Sequence, residues 1–191
     1  MAKGNGVVTS DFAGLEPRRF HRRMKMKVLL TTLLLAACSL AQTATKAPTI
    51  AQLIGTWQLV SIEDTMKDGT VKSPDQFGPH ARGFLMYQPD GHMCASIMNP
   101  DRPAWEDPAN ATDAEKITYY DTFIAYCGTY KLDSAHSTVT HYPEVAWTPA
   151  YVGSTQLRPF KIEGNRLIIT LADPLPAVTK RVLVWERAKL E

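Results

Sequence analysis

Residues 83–98 read Gly83-Phe84-Leu85-Met86-Tyr87-Gln88-Pro89-Asp90-Gly91-His92-Met93-Cys94-Ala95-Ser96-Ile97-Met98. On both sides of Pro89-Asp90-Gly91 the side chains follow a period of two, the spacing of a strand with one face turned inward. The Pro-Asp-Gly triplet between them supplies the backbone freedom and local hydrogen bonding of a tight connection. The stretch therefore predicts a β-hairpin from strands Gly83 to Tyr87 and Met93 to Met98. The same alternation recurs along the chain in Trp57 to Ile62, Tyr126 to Leu132, Ser137 to Ala146, Thr155 to Ile162, Leu167 to Leu171 and Arg181 to Glu186, which makes eight strands. Lys67-Asp68-Gly69 and Glu163-Gly164-Asn165 repeat the turn chemistry.

One segment departs from this pattern. Thr112 and Glu115 have the spacing of a capping box, and Ile117, Tyr120 and Ile124 follow on one helical face, which predicts a short amphipathic helix from Ala111 to about Ile124. Asn99-Pro100-Asp101-Arg102-Pro103 and Asp107-Pro108 before it read as loop, because proline cannot join a central ladder. The expected fold is all-β: an eight-stranded antiparallel up-and-down barrel with one short helix between the third and fourth strands. Closure removes the exposed edges that an open sheet of this size would carry.

Composition agrees with a folded chain and limits its partners. Of 191 residues 45% are hydrophobic and 21% charged, and 13 prolines and 11 glycines without a period exclude collagen-like repeats and long-helix bundles. The formal net charge is +2, yet seven of the 21 Lys/Arg and only two of the 19 Asp/Glu precede Cys38. The remaining 14 basic and 17 acidic residues leave the body near −3, so no nucleic-acid footprint is expected. The five histidines lack metal-ligand spacing, and no nucleophile elbow or phosphate loop occurs, so neither a metal nor a cofactor is expected.

The basic excess belongs to a leader. Arg18, Arg19, Arg22, Arg23, Lys25 and Lys27 precede an apolar run from Val28 to Ala37, the n-region and h-region of a secretory signal. Met24 and Met26 stand where such a signal normally begins, and Arg22-Arg23 offers a weak twin-arginine alternative. Leu35-Ala36-Ala37-Cys38 resembles a lipobox, with Cys38 the lipidated residue; Ser39-Leu40-Ala41 offers an ordinary cleavage site instead. The expected organisation is an extension and signal over residues 1–41, a tether over 42–50 and a barrel domain over 51–191. The product is exported, periplasmic or lipid-anchored, and any membrane contact is through that anchor. Cys94 and Cys127 then remain, either as a disulfide in an oxidising compartment or as two buried free thiols acting as small apolar side chains.

Leu53-Ile54-Gly55-Thr56-Trp57 resembles the Gly-x-Trp signature of the lipocalins. Further blocks, Ala81-Arg82-Gly83-Phe84-Leu85-Met86-Tyr87, Asp101-Arg102-Pro103, Tyr126-Cys127-Gly128-Thr129-Tyr130, Val139-Thr140-His141 and Gln156-Leu157-Arg158-Pro159-Phe160, resemble the single-domain lipocalin-like proteins of bacteria and fungi over about Leu53 to Arg187. The resemblance implies a ligand-sized cavity, and an arginine on the last strand, here Arg187, packed over Trp57 to close the barrel base.

An eight-stranded barrel is just wide enough to fill with side chains or to hold one small ligand. Val139, His141, Val145 and Trp147 share one parity, as do Gln156, Arg158, Phe160 and Ile162; if the apolar members face inward, His141, Gln156 and Arg158 do too. An inward guanidinium must meet a carboxylate, acceptors, water or the anionic end of a ligand. The alternatives are pairing with Glu144 or Glu63, or a bulge at Pro159 that turns Arg158 to solvent. Arg82, Tyr126 and Tyr130 have parities compatible with the cavity, and Trp147 with Pro149 and Tyr151 reads as an aromatic loop at the barrel mouth. Asp101-Arg102-Pro103 with Trp105 reads as a lid or as a loop held by a local ion pair. The functional expectation is a binder of a small hydrophobic or amphiphilic molecule. The alternatives are a cofactor-independent isomerase or cyclase with His141 or Tyr126 as acid/base, and a filled barrel that presents a partner surface.

Overall fold

The computed structural model of the chain describes residues 47–107 and 109–189. The expected signal, most of the tether and the lipidation candidate Cys38 lie outside them. A one-turn helix, α1 (Ile50–Leu53), is followed by β1 (Gly55–Met66), β2 (Val71–Lys72), β3 (Arg82–Tyr87), β4 (His92–Met98), α2 (Asp113–Asp121), β5 (Phe123–Asp133), β6 (Thr138–Ala146), β7 (Gln156–Glu163), β8 (Arg166–Leu175) and β9 (Val178–Arg187). Each strand pairs antiparallel with its neighbour in the order β2-β1-β3-β4-β5-β6-β7-β8-β9, and β9 pairs back onto β1. Eight strands close the barrel, and the two-residue β2 folds back on the end of β1.

The hairpin of residues 83–98 forms with Gly83 opposite Ile97 and Tyr87 opposite Met93. Inward positions from all eight strands build one core, including Trp57, Leu85, Met93, Ile97, Val139, Leu167, Leu183 and Trp185. Leu53 of α1 packs into this core at the end where β1 begins. Thr112 caps α2 as its spacing predicts: its hydroxyl accepts from the Glu115 N–H, and its own N–H donates to Glu115 Oε2 at 2.8 Å. The face expected to pack does not: Ile117 is 61% and Tyr120 50% exposed, because the helix ends at Asp121 and Ile124 belongs to β5.

Two irregularities redirect side chains. In β1 the register against β9 shifts between Leu59 and Ser61. Inward positions run Trp57, Leu59 and then Ile62, Asp64, so Glu63 is turned out. In β6 a second shift sets Gly128 opposite Pro143 and Cys127 opposite Val145. A side chain at Gly128 would lie 2.0 Å from the Tyr142 carbonyl oxygen, so only glycine admits this approach. The shift corrects one sequence expectation: Val145 does not share the inward face of His141 but is 71% exposed, and Ala146 packs on the core instead.

Cys94 and Cys127 stand directly opposite each other on β4 and β5, with Cα atoms 4.1 Å apart, and form a disulfide. Their neighbours Met93, Ala95 and Tyr126 are buried in the core, so strand alternation sets both cysteines on the outer wall. This overturns the reading of two buried free thiols.

Candidate functional site

The barrel base is sealed where α1 meets β9. The Trp57 indole N–H donates to the Leu53 carbonyl at 2.8 Å, and the Arg187 guanidinium lies 4.2 Å over the Trp57 ring. Arg187 also donates to the carbonyls of Ile54 and Gln52, both at 2.5 Å, which answers acceptors left open at the end of α1. Gly55 makes room for this contact. Its φ is +125°, and a Cβ there would lie 2.5 Å from Arg187 Nη1.

Toward the opposite end the interior opens into a partly open cavity of about 80 Å³. Its apolar wall includes Ile62, Leu85, Ile97, Ile169 and Leu183, and its polar groups are Tyr126, His141, Arg158, Arg181 and the indole of Trp185. A wider depression of about 530 Å³ adjoins it at the rim. The two spaces share Phe77, Ile124, Tyr151, Leu171 and both arginines.

The polar groups are ordered from within. His141 is buried, with Nε2 2.7 Å from the Tyr87 hydroxyl and Nδ1 2.9 Å from the Tyr126 hydroxyl. Burial, reinforced by the Arg158 charge, lowers its pKa to about 3, so the ring is neutral at neutral pH. Burial likewise raises Tyr87 and Tyr126, while the Arg158 charge draws both back down. With both ring nitrogens engaged by tyrosines, His141 has no free nitrogen with which to take a proton from a substrate. Its arrangement suits orienting Tyr126 rather than general-base catalysis.

The two inward arginines differ in their partners. Arg181 grips Asp64 through two hydrogen bonds of 2.6 and 2.7 Å, and the pair is almost wholly buried. Arg158 donates to the Gln156 amide oxygen and the Leu157 carbonyl, each at 3.0 Å. Among the described residues no carboxylate lies within ion-pair distance of it. Glu63 and Glu144, the acids considered from the sequence, are exposed. Among the described residues the buried acid is Asp64, which a strict two-residue period from Trp57 passes over.

Of the seven candidate ligand-binding residues, Tyr126, His141 and Arg158 line the inner cavity, and Trp147 and Gln156 line the rim. Trp147 packs edge-on against Tyr151 with centroids 4.5 Å apart. Tyr130 faces inward but lies behind the cavity, edge-on to Tyr87, its hydroxyl donating to the Gln88 carbonyl at 2.9 Å. Arg82 is a correction: Gly83, Leu85 and Tyr87 are the inward residues of β3, so Arg82 lies on the outer wall beside Phe84. Asp64, Arg181 and Trp185 were missed, although the three-residue step from Leu59 to Ile62 signals the bulge that brings Asp64 in.

The loop before α2 does not reach the cavity. Arg102 stacks on Tyr119 at 4.5 Å and Asp101 bonds His80 at 2.9 Å, so the local Asp-Arg ion pair is replaced by these contacts. Trp105 packs on Tyr119. Among the described residues no group of three His, Cys, Asp or Glu side chains is gathered to hold a metal ion.

Comparison with known proteins matches these observations to a family. The lipocalin-like domain model matches residues 54–188. No curated protein matches the chain. Similar solved structures include the lipoprotein YedD from Klebsiella pneumoniae, at 15% identity and TM-score 0.35 over 76% of this chain and 80% of that one. A lipocalin-like protein from Bacteroides uniformis has 13% identity and TM-score 0.38 over 72% and 99%. A mutant of the fluorescent protein UnaG has 12% identity and TM-score 0.36 over 73% and 99%. With its closed barrel, its Gly55-x-Trp57 base under Arg187 and the family match across the whole barrel, the chain belongs to the lipocalin-like domain family.

Proposed function

We propose that the protein is an exported carrier or receptor that binds a small hydrophobic or amphiphilic molecule in the barrel, entering past Trp147 and Tyr151. The fold alone does not assign this role. The observation that carries it is Arg158, an inward guanidinium at the junction of an apolar cavity and its rim whose partners are neutral oxygens. A partly buried charge held only by neutral oxygens beside an apolar cavity favours a complementary ligand group. A filled barrel would leave no such junction.

Export is supported by the leader of residues 18–37 and by the Cys94–Cys127 disulfide, which persists in oxidising compartments. Anchoring through Cys38 rests on the lipobox-like Leu35-Ala36-Ala37-Cys38. The test is native mass spectrometry of the protein purified from its own host, followed by extraction and identification of what it retains. A stoichiometric small molecule that Arg158→Ala loses is expected. A barrel that is empty and also fails to take up the neutral probe N-phenyl-1-naphthylamine would overturn the reading.

A further inference from the structure

The hydrogen-bond inventory around His141 fixes the direction of a proton that reaches the cavity. A neutral imidazole has one N–H donor and one bare acceptor nitrogen, so one of its two tyrosines must donate to it and the other must accept from it. Tyr87 is completely buried and has no other hydrogen-bond partner among the described residues. If it accepted from Nε2, its own O–H would be left unpaired in the core, which folded proteins avoid. Tyr87 therefore donates to Nε2, His141 carries its proton on Nδ1, and Nδ1–H donates to the Tyr126 oxygen. The Tyr126 hydroxyl proton is then free of His141, on a side chain that lines the cavity.

The polar groups facing a ligand are thus donors: the Arg158 guanidinium and the Tyr126 O–H. The Arg181 charge is matched by Asp64, which leaves Arg158 as the one unmatched positive charge among the described residues that line the cavity. We propose that the polar end of the ligand is a single carboxylate, held by Arg158 and the Tyr126 hydroxyl, with Tyr87 acting through His141 as a positioning residue that keeps the Tyr126 proton turned toward it. This rests on the ligand-binding reading above and names its ligand class. One negative charge with only acceptor oxygens matches this donor set; an amine would be repelled, and a dianionic phosphate would leave a charge uncompensated.

The test is calorimetric titration of the purified protein with octanoate, octanamide and octylamine, together with ¹⁵N spectra of histidine-labelled protein. Octanoate is expected to bind at least tenfold more tightly than octanamide and octylamine. Tyr126→Phe should reduce octanoate affinity roughly tenfold to a hundredfold, the effect of one hydrogen bond to a charged group, while octanamide changes less. Tyr87→Phe, which removes an oxygen that does not line the cavity, should erode the same preference and shift the His141 tautomer. In the unmutated protein the ¹⁵N spectrum should show Nδ1 protonated and Nε2 bare, a readout that needs no variant to fold. An Nε2-protonated His141, or equal affinity for octanoate and octanamide, would overturn the inference while leaving the binding reading intact. Failure of all three ligands and of N-phenyl-1-naphthylamine would overturn the binding reading itself.

Discussion

Lowering the pH tests the buried imidazole directly. His141 titrates near 6.5 in an unfolded chain but at about 3 in the barrel, because burial and the Arg158 charge disfavour its cation. Between these values the unfolded state binds a proton that the folded state refuses, so stability falls as pH falls through 6.5 and is restored above it. The slope approaches about 1.4 kcal/mol per pH unit. Between pH 7.5 and pH 5.0 the loss integrates to roughly 2 kcal/mol, a substantial share of the 5–15 kcal/mol typical of a domain. The assay is urea unfolding followed by tryptophan fluorescence at several pH values across that range, for the unmutated protein and His141→Gln. The exposed histidines His80, His92 and His136, and every carboxylate, are common to both proteins and cancel in the difference. The stability difference between the two should shrink as pH falls, by roughly 2 kcal/mol over the range. Parallel curves, or an NMR titration placing His141 above pH 5, would refute the reasoning.

Two further predictions concern the ends of the barrel. Gly55→Ala forces an L side chain into φ +125° and against Arg187 Nη1, which should cost about 2–4 kcal/mol and lower Tm by several degrees in calorimetry; an unchanged Tm would mean that the base tolerates losing the Arg187 contact. Asp64→Ala strands the buried Arg181 charge and should destabilise by about 3–5 kcal/mol, whereas replacing both residues by leucine should recover most of that stability. A double variant as unstable as the single one would show that packing, and not the stranded charge, sets the cost.

The strands were legible where one periodicity ran unbroken. Residues 83–98 form the hairpin their alternation and Pro-Asp-Gly turn require, and β7 keeps Gln156, Arg158, Phe160 and Ile162 on one parity throughout. The helix was legible at its start, where Thr112 and Glu115 bond locally. It was misjudged at its packing face, because among the described residues no neighbouring element covers Ile117 and Tyr120, and a helical period cannot reveal that.

The candidate site was legible only in part for the same reason. His141, Arg158 and Tyr126 follow from alternation, but Asp64 enters through a bulge in β1 and Val145 leaves through one in β6. Each bulge shifts every later side chain on its strand to the other face. Arg82 was misplaced because parity within one strand does not say which parity is inward until the neighbouring strands are paired.

Local chemistry therefore determined the class of the chain: the alternating strands, the turns, the capped helix and the charged leader depend on residues close together in sequence. Tertiary structure decided how the two arginines differ. Asp64 and Arg181 are 117 residues apart, and Tyr87 and His141 are 54. Only closure of β9 onto β1, and the registers this imposes, brings each pair together. That closure matches the charge of Arg181, leaves that of Arg158 facing the cavity, and sets a buried histidine between two tyrosines.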